Sequence, residues 1–138
     1  LRTAKKLEIA VSKNIPKTVA DIEAVTRAVA QPLGYEILAF QSNHEGELID
    51  WMQDNAEHAV GMIINPGALT HYSFALHDAI LDTNLPCVEV HLSDIHSREP
   101  WRAISVIAPI CLAQISGKKE QGYEEAVTLL HEQLTDIV

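Results

Sequence analysis

Short apolar runs alternate with longer stretches of helical period along this chain. Leu7–Val11 (LEIAV) reads as a strand. TVADIEAVTRAVA follows as a helix, with Val19, Ile22, Val25 and Val29 on one face. Thr18 suits its N-cap, and Asp21 in the first turn favours the helix dipole. Tyr35–Phe40 is the second strand and HEGELIDWMQDNA the second helix. Ala59–Asn65 (AVGMIIN) is the third strand. THYSFALHDAILDT is the third helix, with Phe74, Ala75, Ala79 and Leu81 turned largely inward. Pro86–His91 and Ile110–Gly117 are the last two strands, and QGYEEAVTLLHEQLTDIV closes the chain as a helix. Such alternation predicts a parallel sheet covered on both faces. Five strands with short connections predict an α/β, flavodoxin-like, three-layer αβα fold of strand order 2-1-3-4-5. The chain, residues 1–138, is one domain's worth.

In such folds ligands bind outside the carboxyl ends of the strands. Three polar motifs fall there: QSNHEGE after strand two, NPGALTH after strand three and EVHLSDIHSRE after strand four. They bring Asn43, His44, Asn65, His71, His91 and Ser93 to one rim. His58, His77 and His131 lie elsewhere and read as solvated or partner-capped. In NPGALTH, Pro66 and Gly67 mark a tight turn, and Thr70 suits the cap of the next helix. Asn65 either contacts a ligand there or only satisfies loop amides.

The motif after strand four is richer. Glu89 and His91 stand two apart on a strand, so both point to one face. A carboxylate beside an imidazole fixes its tautomer and makes it a better-placed general acid. Leu92 and Ser93 leave the strand with backbone N–H groups able to bind a carboxylate. The four-residue gap between His91 and His96 matches no strong zinc pattern, and neither cysteine is placed to join them. Arg98, Glu99 and Arg102 read as surface ion pairs, or Arg102 turns back to the rim to hold hydroxyls or a carboxylate. No nucleophile elbow, P-loop or G-x-G-x-x-G occurs. The residues by themselves describe a pocket for acid–base chemistry on a small oxygen-rich molecule.

Composition narrows the partners. A net charge of −9 argues against nucleic acid or anionic lipid. No apolar run is long enough for a transmembrane helix, and no signal-peptide pattern occurs. Cys87 and Cys111 lie in apolar runs and read as buried thiols of a reducing, cytoplasmic compartment.

Taken together, QSNHEGELIDW, INPGALTHYSFALHDAI, PCVEVHLSDIHSREPWR, SVIAPICLAQISG and QGYEEA resemble the type II 3-dehydroquinate dehydratases. The likeness runs from about Thr18 to the C-terminus, in the family's order and spacing. It implies a homo-oligomer, a dodecamer of four trimers. It implies loss of water from 3-dehydroquinate to give 3-dehydroshikimate through an enolate, without metal or organic cofactor. This reaction serves the shikimate or the quinate pathway. By the resemblance His91 is the general acid for the C1 hydroxyl and Glu89 orients it. Asn65 and the backbone of Leu92 and Ser93 hold the substrate, and His71 and Arg102 hold ring hydroxyls. Asp78 reaches the site of a neighbouring subunit. The N-terminal part departs from the pattern. The family follows its first strand with a lid that carries an arginine and a basic tyrosine. Here LEIAVSKNIPKT stands in that place, and Tyr35, Tyr72 and Tyr123 match no lid position. Two other readings stay open: a non-catalytic homologue that binds a cyclic polyol acid or acts as an assembly scaffold, and a metal-dependent lyase.

Overall fold

The computed structural model describes residues 5–11 and 19–135. Among these lie five strands: β1 (Lys5–Val11), β2 (Tyr35–Gln41), β3 (Ala59–Asn65), β4 (Cys87–His91) and β5 (Ala113–Ser116). All pair in parallel, in the order β2-β1-β3-β4-β5. Four α-helices accompany them: α1 (Val19–Ala30), α2 (Glu45–Asn55), α3 (Phe74–Thr83) and α4 (Gln121–Thr135). The expected sheet and its strand order are therefore present, and β3 spans the residues read as the third strand.

Side-chain alternation along the strands builds two cores. On one face Leu7, Ile9, Ile63, Val88 and Val90 pack under α1 and α4, which contribute Ile22, Ala126, Val127 and Leu130. On the other, Ala10, Met62, Ile64 and Cys87 pack under α2 and α3, through Leu48, Met52, Leu76 and Ile80. These are the three layers. Close packing explains Gly122 at the start of α4. A Cβ there would stand 3.0 Å from Val90 Cγ1 and 3.3 Å from Ile115 Cγ2. The helix can approach the sheet this closely only without a side chain.

Four expectations need correction or restriction. The third helix does not begin at Thr70. Gly67–His71 forms a 3₁₀ turn entered with Gly67 at φ +60°, and α3 starts after Ser73. Ser73, not Thr70, is its N-cap: its hydroxyl accepts Leu76 N–H at 3.0 Å and donates to the Glu45 carboxylate of α2. Thr70 is buried instead, its carbonyl accepting Val106 N–H.

The inward face of α3 is Leu76, Ala79 and Ile80. Of the residues read as inward, only Ala79 is buried; Phe74 is 68% and Leu81 53% exposed, and Ala75 is exposed. The three- and four-residue spacing from Leu76 carries the stripe that meets the sheet, and Phe74 and Leu81 fall on another. β5 is shorter than Ile110–Gly117, because Ala108–Ile110 turns as a 3₁₀ helix around Pro109. Thr18, read as the cap of α1, lies outside the described residues, as do positions 136–138 of the last helix.

Candidate active site

The carboxyl ends of β3 and β4 carry Asn65 and His91, both buried. Asn65 Oδ1 accepts Gly67 N–H at 3.2 Å, so its side chain shapes the turn that follows β3. The loop after β2 ties itself similarly, with Ser42 Oγ accepting His44 N–H and donating to Glu47. Asn43 and His44 themselves are exposed.

Glu89 and His91 share the sheet face of Cys87, as strand alternation requires. His91 Nε2 lies 2.5 Å from Glu89 Oε2. Glu89 is fully buried and receives two further donors. Ser105 Oγ donates to Oε1 at 2.8 Å and Gln114 Nε2 to Oε2 at 2.8 Å. Ser105 Oγ in turn accepts Ala108 N–H at 3.0 Å. An ionised carboxylate only accepts, so three donors suit Glu89 as an anion. The same logic places the His91 proton on Nε2, towards Glu89, and leaves Nδ1 as the ring nitrogen not spent on it.

Neither Ser105 nor Gln114 was evident from sequence. Ser105 lies in an irregular segment without a signal. Gln114 sits opposite Glu89 across the β4–β5 ladder, which becomes readable only once the strand order is known.

The remaining rim residues group around Trp101. Arg102 pairs with Glu99, and its guanidinium carbon lies 4.2 Å from the Trp101 ring centre. His71 meets the same ring edge-on at 5.1 Å, and its Nδ1 lies 2.6 Å from the Ile104 carbonyl. Arg102 is thus both an ion-pair partner, as one reading had it, and a neighbour of the indole beside His71. Leu92 and Ser93 form the turn after β4, their carbonyls accepting the Lys119 and Gly117 amides. Asp94 caps the following 3₁₀ turn through His96 N–H, and the His96 ring Nε2 lies 2.9 Å from Gln114 Oε1. Asp78 is exposed on α3 and paired with His77.

The three tyrosines sit in other places. Tyr35 bonds His131 Nδ1 at 2.8 Å, and Tyr72 is 61% exposed. Tyr123 is buried in α4 near Asn65, and burial pushes its phenol up, so it stays protonated. Of the segment LEIAVSKNIPKT that stands in place of a lid, residues 7–11 belong to β1 and residues 12–18 lie outside the described residues. Among the described residues no three His, Cys, Asp or Glu side chains group closely enough to hold a metal ion.

An α/β sheet of this order, with a buried carboxylate-held histidine at a strand end, defines a flavodoxin-like protein. Comparison with known proteins narrows this. The family model of dehydroquinase class II matches residues 13–131. A 3-dehydroquinate dehydratase of Chelativorans sp. is 50% identical over 115 residues, which cover 83% of this chain and 79% of that protein. Another, of Caldicellulosiruptor bescii, is 50% identical over 124 residues, with 87% and 85% covered. The crystal structure of a type II dehydroquinase from Propionibacterium acnes superposes with a TM-score of 0.85 at 29% identity, covering 94% of this chain and 99% of that one. The chain belongs to the class II dehydroquinase family.

Proposed function

We propose that this protein is a hydro-lyase that dehydrates 3-dehydroquinate to 3-dehydroshikimate through an enolate. The observation that carries this is the buried Glu89–His91 pair at the end of β4, in a chain with 3-dehydroquinate dehydratases among its relatives. Water takes the C2 proton as base, the enolate forms, and the C1 hydroxyl departs as water once His91 has protonated it. His91 is the general acid for that departure: in its doubly protonated form the ring keeps Nε2–H on Glu89 and gives the Nδ1 proton to the hydroxyl. Asn65, the Leu92 and Ser93 amides, His71 and Arg102 hold the substrate's carboxylate and hydroxyls. No metal or organic cofactor takes part in this reading. The relatives' names support turnover over a homologue that only binds or scaffolds.

The working form is a homo-oligomer, a trimer or a dodecamer of trimers. Phe74, Asp78 and Leu81 share one exposed stripe of α3, at spacings of four and three residues. An apolar stripe with an acid at its centre supports a face that meets another subunit and lets Asp78 reach its site. The compartment is the cytoplasm, where the free thiols Cys87 and Cys111 stay reduced. Among the described residues no helix is long and apolar enough to cross a membrane. The place of the reaction is the shikimate pathway or quinate breakdown.

The test is formation of 3-dehydroshikimate, followed by its absorbance. Wild-type protein is expected to form it, and His91→Ala to lose at least about 10²-fold of the rate. Equal rates in the two would overturn the assignment.

A further inference from the structure

The Glu89 carboxylate stands inside a hydrogen-bonded chain that ends on an exposed loop. His91 Nε2 and Gln114 Nε2 both reach Oε2, at 2.5 and 2.8 Å. The other end of the Gln114 amide, Oε1, lies 2.9 Å from His96 Nε2. An amide has one donating and one accepting end, so its orientation is fixed by its neighbours. The carboxylate demands the NH₂ end of Gln114. The amide oxygen then faces His96, whose Nε2 must carry a proton. One buried anion thereby sets the polarity of the whole chain.

The elements around it hold this chain in place. Gln114 lies on β5 directly opposite Glu89. His96 sits in the 3₁₀ turn capped by Asp94, whose Cβ would lie 3.2 Å from a Cβ at Gly117, just past β5.

We propose that Gln114 and His96 are positioning residues for the general acid: His96 holds the Gln114 amide in the orientation that donates to Glu89, and Gln114 holds the carboxylate that aims His91. This rests on the dehydratase reading above. Neither residue needs to touch substrate. Without the Gln114 donor the carboxylate keeps only Ser105 and His91 and can rotate about its stem. Without His96 the Gln114 amide can flip and turn its oxygen towards Glu89, an acceptor facing an acceptor.

The experiment combines steady-state kinetics with ¹⁵N spectra of the His91 ring. Gln114→Met keeps the length and removes the donor. It should lower kcat about tenfold with KM within about twofold, because the interaction matters for proton transfer rather than binding. Gln114→Glu sets a second carboxyl against Glu89. Two such groups share a proton as pH falls, and the introduced carboxyl then donates. Its activity relative to wild type should therefore recover on acidification, which mere loss of packing would not produce. His96→Ala should lower kcat about two- to threefold, and His96→Gln, which keeps an N–H donor, should restore it. In each impaired variant the His91 ring signals should move.

Wild-type kcat and an unmoved His91 ring in Gln114→Met overturn the proposal. Should that variant not fold, the same result in the surface variant His96→Ala overturns it. If the wild-type chain forms no 3-dehydroshikimate, the dehydratase reading falls, and the spectra alone decide the positioning role. Ring signals that move in both variants uphold it, and unmoved signals dismiss it.

Discussion

Two glutamates are fully buried on the same face of the sheet, and the molecule treats them in opposite ways. Glu89 on β4 receives His91, Ser105 and Gln114. Among the described residues Glu8 on β1 has no hydrogen-bond partner for either oxygen. It shares the face of Ala10 and lies beside Met62, which in turn pairs with Cys87. Burial alone pushes the Glu8 carboxyl from 4.5 up to about 7. Glu8 and Glu89 both help to push the Cys87 thiol up, after the Cys111 thiol beside it and burial itself. The contrast teaches that burial does not make a carboxylate useful. A supplied set of donors keeps Glu89 hydrogen-bonded and aimed, whereas Glu8 is a polar group that the described part of the core has not satisfied.

The sharpest way to break the comparison is at Glu89. Glu89→Gln replaces an acceptor of three donors with an amide that must also donate. Dehydration should fall by about 10²-fold or more, read as kcat with little change in KM. A variant with the wild-type kcat would mean that Glu89 is as dispensable to the chemistry as Glu8.

Glu8 should respond in stability instead. Its folded pKa lies above its unfolded value, so its contribution is fully present below about 4.5 and is lost as pH rises through about 7. Chemical unfolding of Glu8→Leu and wild type across this window checks the sign. The variant should gain about 3 kcal/mol on wild type at pH 8 compared with pH 4. A gap that stays constant with pH would show that Glu8 finds a partner in the folded protein.

Ser105→Ala should have a smaller effect, since it removes one of three donors. A loss of about 1 kcal/mol in stability and about fivefold in kcat is expected. Smallest of all is Glu99→Gln. Glu99 is exposed, and the Arg102 guanidinium beside it holds its carboxyl below the usual range. Solvent screens such a pair, so thermal midpoints of variant and wild type should coincide.

Much of this was legible before any coordinates. The strand and helix periods predicted the alternating architecture, because each element's pattern is local. Glu89 and His91 were paired by the two-residue strand period, and their contact at 2.5 Å follows from it. The motifs from QSNHEGELIDW to QGYEEA carried the family, and the family model covers them.

Other features had no local signature. Which stripe of α3 turns inward depends on where the helix starts, and that is decided by Ser73 capping against Glu45 of α2. Two of the three donors to Glu89 come from 16 and 25 residues away in sequence. Glu8 and Glu89 look alike as charged residues within apolar strands, and only their neighbours distinguish them. Sequence by itself determined which residues share a strand face, since backbone geometry repeats every two residues. Tertiary structure alone decided which carboxylate is satisfied, since hydrogen-bond partners are supplied by strand order and register across the sheet.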